Sequence, residues 1–220
     1  MGLQLGKLQK LMVKTQLMNR DISDKSVLDA MGTVPRHLFI PPDLINEAYN
    51  DHPLPIGHQQ TISQPYIVAL MTQALELTRI SKVLEIGTGC GYQTAILASI
   101  VETVYSVEII PELTEIARNN LKNIGIKNVQ LKVCDGYDGW LDEAPFDRII
   151  ITAAPPKIPP RLINQLTTNG IMVVPVGSMI QNLLWIKKRS DDTLHKRNIT
   201  AVRFVPMTGK ALSGESSYPF

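Results

Sequence analysis

The spacing of hydrophobic and polar positions changes near residue 78, and this change separates two kinds of predicted element. Near the amino terminus apolar residues recur three or four positions apart, at Leu5, Leu8, Leu11 and Met12. Such spacing is typical of one face of an amphipathic helix. It also predicts a helix over 64–77, and Ser23 is suited to cap a short helix that stops at Gly32. Six prolines within residues 33–66 exclude long regular elements there.

After residue 78 short apolar runs alternate with amphipathic stretches, which predicts a parallel sheet with helical crossovers. Strands are predicted at 82–86, 103–108, 128–134, 146–152 and 171–176, and helices at about 91–100, 111–123 and 159–168. Two further strands, near 182–188 and 198–205, would flank a polar turn from Lys187 to Lys196. Gly125 and Gly170 are expected to end the second and third of these helices.

Composition limits the classes of protein to which the chain belongs. Its 220 residues are enough for one large α/β domain, and 44% hydrophobic and 19% charged residues are ordinary for a soluble protein. A net charge of +2 gives no strong field for nucleic acid or an anionic membrane. Two cysteines are too few for a disulfide scaffold, and four histidines without ligand spacing predict no metal site. With no apolar run long enough to span a bilayer, the expected location is cytoplasmic.

The predicted strand at 82–86 runs directly into three glycines at every second position, Gly87, Gly89 and Gly91, with Glu85 just before them. Glycine permits a positive φ and lets a ligand approach the backbone closely. A loop of this kind between a strand and a helix presents N–H groups to a nucleotide-like molecule. The G-x-G-x-G spacing differs from the G-x-G-x-x-G of dinucleotide-binding enzymes, which disfavours a nicotinamide-dependent oxidoreductase. It resembles the first motif of S-adenosylmethionine-dependent methyltransferases.

Two acidic residues stand where the next two predicted strands end. Glu108 could bind both hydroxyls of a ribose, or it could be a solvated acid at the start of the helix near Pro111. Asp135, followed by Gly136, could accept a hydrogen bond from an exocyclic amine or form a simple turn. The carboxyl ends of parallel strands share one edge of a sheet, so these residues and the glycine loop are expected to share one crevice. Asp147, at the start of the fourth strand, is expected to have a structural role.

Several segments carry a more specific resemblance. They are 34–39 (Val-Pro-Arg-His-Leu-Phe), 53–57 (Pro-Leu-Pro-Ile-Gly), 60–65 (Gln-Thr-Ile-Ser-Gln-Pro), 83–91, 144–147 (Ala-Pro-Phe-Asp), 175–177 (Pro-Val-Gly) and 204–207 (Phe-Val-Pro-Met). Together they resemble protein-L-isoaspartate O-methyltransferases over nearly the whole chain. Two positions depart from the family pattern, since Gln59 stands where Gly is usual and Cys90 replaces the usual Ser. A different backbone path at Gln59 and a weaker hydrogen bond from the Cys90 thiol are expected.

The resemblance implies an α/β fold with a Rossmann-like, doubly wound and mostly parallel sheet of the class I methyltransferase type. Residues 1–78 would form an N-terminal helical and loop region beside the substrate cleft, and 79–220 the S-adenosylmethionine-binding domain. The implied reaction is methyl transfer from S-adenosylmethionine to the free carboxylate of L-isoaspartyl residues in damaged proteins and peptides. D-aspartyl residues are a second candidate substrate, S-adenosylhomocysteine is the expected product, and the protein is expected to be a monomer.

The same resemblance assigns residues to the site. Ser63 is the implied active-site residue and would bind substrate together with the main chain near Val205, Pro206 and Thr208. The implied cofactor-binding residues are Gln60, Thr61, Ile62, Glu85, Gly87, Gly89, Gly91, Glu108, Asp135 and Gly136. From the residues alone, Ser63 could instead cap the helix that begins near Pro65.

A carboxylate acceptor requires no general base, because its unperturbed pKa near ~4 leaves it ionised at neutral pH. The lack of a Ser–His–Asp or Cys–His pattern is therefore compatible with this reaction. Donor and acceptor carry opposite charges that cancel on transfer, so the expected contribution of the protein is a dry pocket that aligns the reacting atoms. Two alternatives stay open, which are a methyltransferase for another substrate and a cofactor-binding protein without turnover.

Overall fold

Helices and a small hairpin build the first third of the chain. The computed structural model describes residues 2–212, with side chains from Leu3 onward. Helix α1 (Gly2–Met12) continues as a π-helical stretch (Val13–Met18), and α2 (Lys25–Thr33), strands β1 (Leu54–Gly57) and β2 (Gln60–Ile62), and α3 (Pro65–Ala74) follow. Short 3₁₀ turns at Arg36–Leu38 and Pro42–Glu47 occupy the proline-rich part, so that region has more order than its composition predicts.

The amino-terminal end of α2 differs from the prediction by one residue. Asp24, and not Ser23, is the N-cap, because its Oδ1 accepts hydrogen bonds from Ser26 N at 2.8 Å and Val27 N at 3.2 Å. Asp and Ser are both good caps, and the residue that takes the role is the one whose carboxylate reaches the free N–H groups. The helix also runs one residue past Gly32, to Thr33.

The hairpin β1–β2 was not predicted. Its strands pair antiparallel, with Leu54 opposite Ile62, and Gly57 opposite Gln60. Only His58 and Gln59 lie between the strands, and both have positive φ angles of 51° and 57°. A two-residue turn with positive φ at both positions suits the twist of a β-hairpin.

Seven strands form one sheet in the order β5-β4-β3-β6-β7-β8-β9. The strands are β3 (Lys82–Ile86), β4 (Thr103–Glu108), β5 (Val129–Val133), β6 (Phe146–Ile151), β7 (Leu166–Val176), β8 (Gln181–Lys188) and β9 (Leu194–Val202). Pairing is parallel from β5 through β7 and antiparallel at β8 and β9. The helices between strands are α4 (Tyr92–Ala98), α5 (Pro111–Asn123) and α6 (Pro160–Asn164). The predicted mostly parallel α/β sheet is therefore confirmed.

Three details of the later strands differ from the predictions. The helix expected over 159–168 ends at Asn164, and β7 begins at Leu166, so Gly170 lies inside a strand and ends no helix. The β-branched Thr167 and Thr168 favour a strand there. The strand predicted near 198–205 is β9, which spans Leu194–Val202. It begins earlier than expected, so the turn before it is shorter. Charged residues on the exposed edge strand hide the alternation that would have marked its start.

The sheet is covered by apolar residues on both faces. Alternation along β3 sends Val83 towards a core formed with α1, α2, α3, α4 and α5, and sends Leu84 towards a second core that includes Leu162 of α6. Leu5 and Leu17 from the amino-terminal helices belong to the first of these cores. Residues 213–220, the last part of the predicted 79–220 domain, lie outside the described residues, and the division at residue 78 stays a prediction.

No helix within residues 2–212 has both the length and the apolar character that crossing a membrane requires.

Candidate active site

The carboxyl ends of the parallel strands meet at one edge of the sheet and form a crevice there. Its lining includes the main chain after β3 and the ends of β4 and β6, as expected for ligand sites in open α/β sheets. We call this space the crevice, and the predicted site residues that line it are Gln60, Thr61, Gly87, Gly89, Glu108, Gly136, Val205, Pro206 and Thr208. Sequence reasoning thus placed residues from five separate segments at one site.

The glycine loop leaves no room for side chains at the crevice. Gly87 and Gly89 have φ angles of 96° and 54°. A Cβ on Gly87 would lie 2.3 Å from Thr152 Oγ1, and a Cβ on Gly136 would lie 2.3 Å from Ile86 Cγ2. Gly91 has a different role, because it faces the backbone of Ala117 in α5 rather than the crevice. The loop therefore presents bare backbone to whatever binds there.

Glu108 is held in a fixed orientation at the end of β4. Its Oε2 accepts from Gly89 N at 2.9 Å, and its Oε1 accepts from Ile109 N at 2.9 Å and Ile110 N at 3.0 Å. The side chain is 6% exposed, so the alternative of a solvated acid is wrong. Three of the roughly four acceptor sites of this buried carboxylate are occupied, so it can still accept a hydrogen bond from a hydroxyl group in the crevice.

Asp135 lies beside the crevice, outside the set of residues that line it. Its Oδ1 accepts from Tyr137 N at 2.9 Å and its Oδ2 accepts from Lys210 N at 2.8 Å. The turn considered as its alternative role is present, since Asp135 caps the 3₁₀ turn Gly136–Asp138. The carboxylate thereby fixes both the adjacent Gly136 and the chain near Lys210 at the edge of the crevice.

Glu85 lies beneath the glycine loop and has no exposed surface. Its Oε2 accepts from the hydroxyls of Thr94 and Ser106, each at 2.5 Å, and Ser106 also contacts the Thr88 hydroxyl at 2.6 Å. Burial raises the pKa of Glu85 from 4.5 to about 8, although both hydroxyl hydrogen bonds lower it. Glu85 therefore supports the loop from behind and does not line the crevice.

Cys90, the second departure from the family pattern, is also turned away from the crevice. Its side chain is 4% exposed, and burial raises the pKa of the thiol to about 11. The thiol is therefore neutral at ordinary pH and belongs to the core on the helical side of the loop. The consequence for a hydrogen bond to a cofactor stays a prediction.

A second space, which we call the cleft, opens beside the crevice. It is lined by Pro53, Thr61, Ser63, Gln64, Ile67, Thr152 and residues 201–205. Three residues, Thr61, Thr152 and Val205, line both spaces. The crevice and the cleft are therefore joined at a shared wall.

Ser63 lines the cleft together with Thr61 and has a half-buried side chain. Ile62 beside it is buried, and both line a smaller space next to the glycine loop. The N-cap of α3 is Gln64, without a side-chain hydrogen bond, so the alternative that Ser63 caps this helix is wrong. Within residues 2–212 no hydrogen bond of the Ser63 hydroxyl is formed, which leaves it able to donate to a ligand.

The segment after β9 is fixed against the end of β6. Ala154 N donates to Val205 O at 2.8 Å, and Met207 N donates to Ala154 O at 2.8 Å. Gln181 holds Phe204, the residue before Val205. Its Nε2 donates to Phe204 O at 3.1 Å, and its Oε1 accepts from Phe204 N at 2.6 Å. Sequence reasoning missed Gln181, for which the pattern offers no signal. It also missed Thr152, which the end of the predicted 146–152 strand would have indicated.

The donor set of the crevice fits a nucleoside-containing cofactor such as S-adenosylmethionine. The bare backbone of Gly87 and Gly89 allows close approach of a ligand, and Glu108 supplies an oriented acceptor for a hydroxyl group. Among the described residues no group of His, Cys, Asp and Glu could hold a metal ion. Asp147, as expected, is structural, because its Oδ2 accepts from Lys82 N at 2.9 Å.

Comparison with known proteins agrees with this geometry. The sequence model of the family described as protein-L-isoaspartate(D-aspartate) O-methyltransferase matches residues 7–212. The chain is 52% identical over 199 residues (90% of this chain, 93% of the relative) to protein-L-isoaspartate O-methyltransferase 1 of Syntrophobacter fumaroxidans. It is also 52% identical over 202 residues (92% and 90%) to the protein-L-isoaspartate O-methyltransferase of a Picosynechococcus species.

Solved structures give the same result for the fold. A Plasmodium falciparum protein in complex with S-adenosyl-L-homocysteine superposes with a TM-score of 0.80 at 25% identity, covering 91% of this chain and 98% of that one. A protein-L-isoaspartate O-methyltransferase superposes with a TM-score of 0.80 at 29% identity, covering 93% of this chain and 66% of that one. The chain belongs to the protein-L-isoaspartate(D-aspartate) O-methyltransferase family.

Proposed function

We propose that this chain transfers a methyl group from S-adenosylmethionine to the free carboxylate of L-isoaspartyl residues in damaged proteins and peptides. Family membership supports this reaction, with D-aspartyl residues as a second candidate substrate. The proposal is carried by one observation: the crevice and the cleft share a wall, and Ser63, with a hydroxyl free to donate, lines the cleft and the smaller space next to the glycine loop. We expect the protein to act as a monomer in the cytoplasm.

The residues of the crevice orient the donor. S-adenosylmethionine, when bound, supplies a methyl group attached to a positively charged sulfur. Glu108 would accept a hydrogen bond from a ribose hydroxyl, and its three backbone partners keep the carboxylate in place before binding. The bare backbone of Gly87 and Gly89 would lie against the ligand, while Gln60 and Thr61 close the crevice from the hairpin side.

The residues of the cleft orient the acceptor. Its carboxylate is ionised at neutral pH and is already a nucleophile, so the protein has no proton to remove. Ser63 would donate a hydrogen bond to one carboxylate oxygen and leave the other aimed at the shared wall. The main chain near Val205, Pro206 and Thr208 would bind the substrate backbone. Excluding water from the junction strips hydration from two charges that cancel on transfer, which favours the reaction.

Two substitutions separate these roles. We expect Ser63→Ala to lower kcat/KM for an isoaspartyl peptide by about 100-fold, because a loosely held acceptor is rarely aligned. Affinity for S-adenosylhomocysteine should change little. Glu108→Gln should instead weaken that affinity by about tenfold, since an oriented charged acceptor is lost. Transfer of a tritiated methyl group and calorimetric titration with S-adenosylhomocysteine measure the two effects.

The peptide controls test the substrate. The same peptide with a normal aspartyl residue should accept no methyl group, and Ser23→Ala, at an exposed serine that lines neither the crevice nor the cleft, should behave as the parent chain does. Binding of S-adenosylhomocysteine without any transfer to the isoaspartyl peptide would contradict the proposal and favour a cofactor-binding protein without turnover. Equal loss of transfer and cofactor affinity in Ser63→Ala would contradict the role given to Ser63.

A further inference from the structure

The lining of the cleft is almost free of charge. Among the described residues that line it, Arg203 is the only one with an ionised side chain. The rest are apolar or carry a hydroxyl or amide, as do Ser63 and Gln64. A single cation in an otherwise neutral cleft dominates the local field and favours an anionic group of the ligand.

The backbone on both sides of Arg203 is fixed. Val202, the last residue of β9, pairs with Gln181, and Gln181 also holds both main-chain groups of Phe204. The guanidinium itself is exposed and forms no ion pair with any residue of the 2–212 range. The fixed backbone sets where the side chain starts, and an unpaired guanidinium can bind a carboxylate with two parallel hydrogen bonds.

Arg203 lies away from the place where transfer occurs. Ser63 and Thr152 line the smaller space next to the glycine loop, whereas Arg203 lines the cleft alone. A cation beside the acceptor would also stabilise a charge that is lost in the transition state, and would slow transfer. Arg203 is therefore suited to a carboxylate next to the acceptor residue and not to the acceptor itself.

We propose that Arg203 is a specificity residue that favours isoaspartyl peptides with an acidic side chain adjacent to the isoaspartyl residue. The proposal rests on the proposed function, because it takes the cleft as the substrate site. It concerns which damaged sites are bound first and leaves the chemistry at Ser63 unchanged.

The test uses isoaspartyl peptides that differ at one neighbouring position, with Glu, Gln or Lys placed either before or after the isoaspartyl residue. Binding is measured by fluorescence anisotropy with S-adenosylhomocysteine present, and methylation is measured separately. At low salt we expect the parent chain to bind the Glu peptide about threefold more tightly than the Lys peptide, the range of a solvent-exposed ion pair. This preference should shrink at high salt. Arg203→Gln should abolish it, and Arg203→Glu should reverse it.

Lys127→Glu is the matched control, because this exposed lysine lies before β5 at the opposite edge of the sheet and gives the same change in net charge. It should keep the preference of the parent chain. An unchanged Glu-over-Lys preference in Arg203→Glu, at both neighbouring positions, would overturn the proposal. Failure of the proposed function is distinguishable, since the parent chain would then methylate none of these peptides while the binding preference could still be read.

Discussion

At the residue scale, the turn between β1 and β2 contains a strained position that the sequence makes visible. Gln59 has a φ of 57° where the family pattern has Gly, and an L side chain is disfavoured there. We expect Gln59→Gly to raise the free energy of unfolding by about 0.5 kcal/mol, the relief of strain less the added freedom of the unfolded chain. Thermal unfolding measures this, and an unchanged or lower midpoint would mean that the turn is unstrained.

Glu85 makes stability depend on pH. Its folded-state pKa of about 8 lies above the ordinary value of 4.5, so its favourable contribution is complete below pH 4.5 and is lost as pH rises towards 8. Glu85→Gln keeps a neutral side chain at every pH. We expect the parent chain to lose at least about 1 kcal/mol of stability relative to this variant between pH 6 and 8.5. Urea denaturation at both pH values measures the difference, and a constant difference would contradict it.

The positions of single residues were predictable where spacing alone decides them. Gly87, Gly89 and Glu108 reach the crevice because each follows or ends a parallel strand. The direction of the Glu85 side chain was harder to predict, although the alternation of side chains along a strand explains it. It lies two residues after Val83, which faces the helical core, so its side chain points to the same buried face. A sequence motif predicts that a residue belongs to a site, but it does not show which way the side chain of that residue points.

At the element scale, two buried glutamines hold two loops of the site in the same way. Gln181 binds both main-chain groups of Phe204, while Gln165 accepts from Trp140 N at 2.8 Å and donates to Asp138 O at 2.7 Å. Both side chains are less than 9% exposed. The side-chain amide of each glutamine therefore satisfies main-chain N–H and C=O groups that a neighbouring strand would otherwise bond.

Alanine at either glutamine leaves main-chain groups unsatisfied and should cost about 1–3 kcal/mol of stability. The functional effects should differ. Gln181→Ala loosens the segment beside the cleft, so we expect a higher KM for the isoaspartyl peptide. Gln165→Ala loosens the loop after Asp135, so we expect weaker binding of S-adenosylhomocysteine. Peptide kinetics and calorimetry on both variants measure this, and identical profiles would refute separate roles.

Elements with a buried apolar core were predicted well, and elements defined by pairing were not. Strands β3 and β4 have the predicted bounds, and every residue of each except the first is buried. The hairpin β1–β2 and the start of β9 depend on partners far along the chain and on an exposed edge, so local hydrophobicity carries little of their signal. The same limit explains why the Gln181 contacts could not be anticipated.

At the scale of the whole molecule, the amino-terminal helices and the sheet share one apolar core. Leu17 has no exposed surface and lies in the same cluster as Val83 of β3 and Ile96 of α4. The hairpin β1–β2 follows α1 and α2 in the sequence, and its residues Gln60 and Thr61 line the crevice. Ile56 of β1 lies near Gly89 of the glycine loop. The region before residue 78 is therefore a structural part of the site.

This shared core predicts one cooperative unfolding transition. Leu17→Ala should lower stability by about 3 kcal/mol and the midpoint by roughly 9 °C, because a buried cavity forms. Leu11→Ala is the matched control on the same helical stretch, since Leu11 is 53% exposed and should change stability by less than about 0.5 kcal/mol. Both tryptophans, Trp140 and Trp185, lie after residue 78. Their fluorescence should therefore shift in Leu17→Ala with the same midpoint as far-ultraviolet circular dichroism. Two separate midpoints would show that residues before 78 unfold on their own, and would support a domain boundary there.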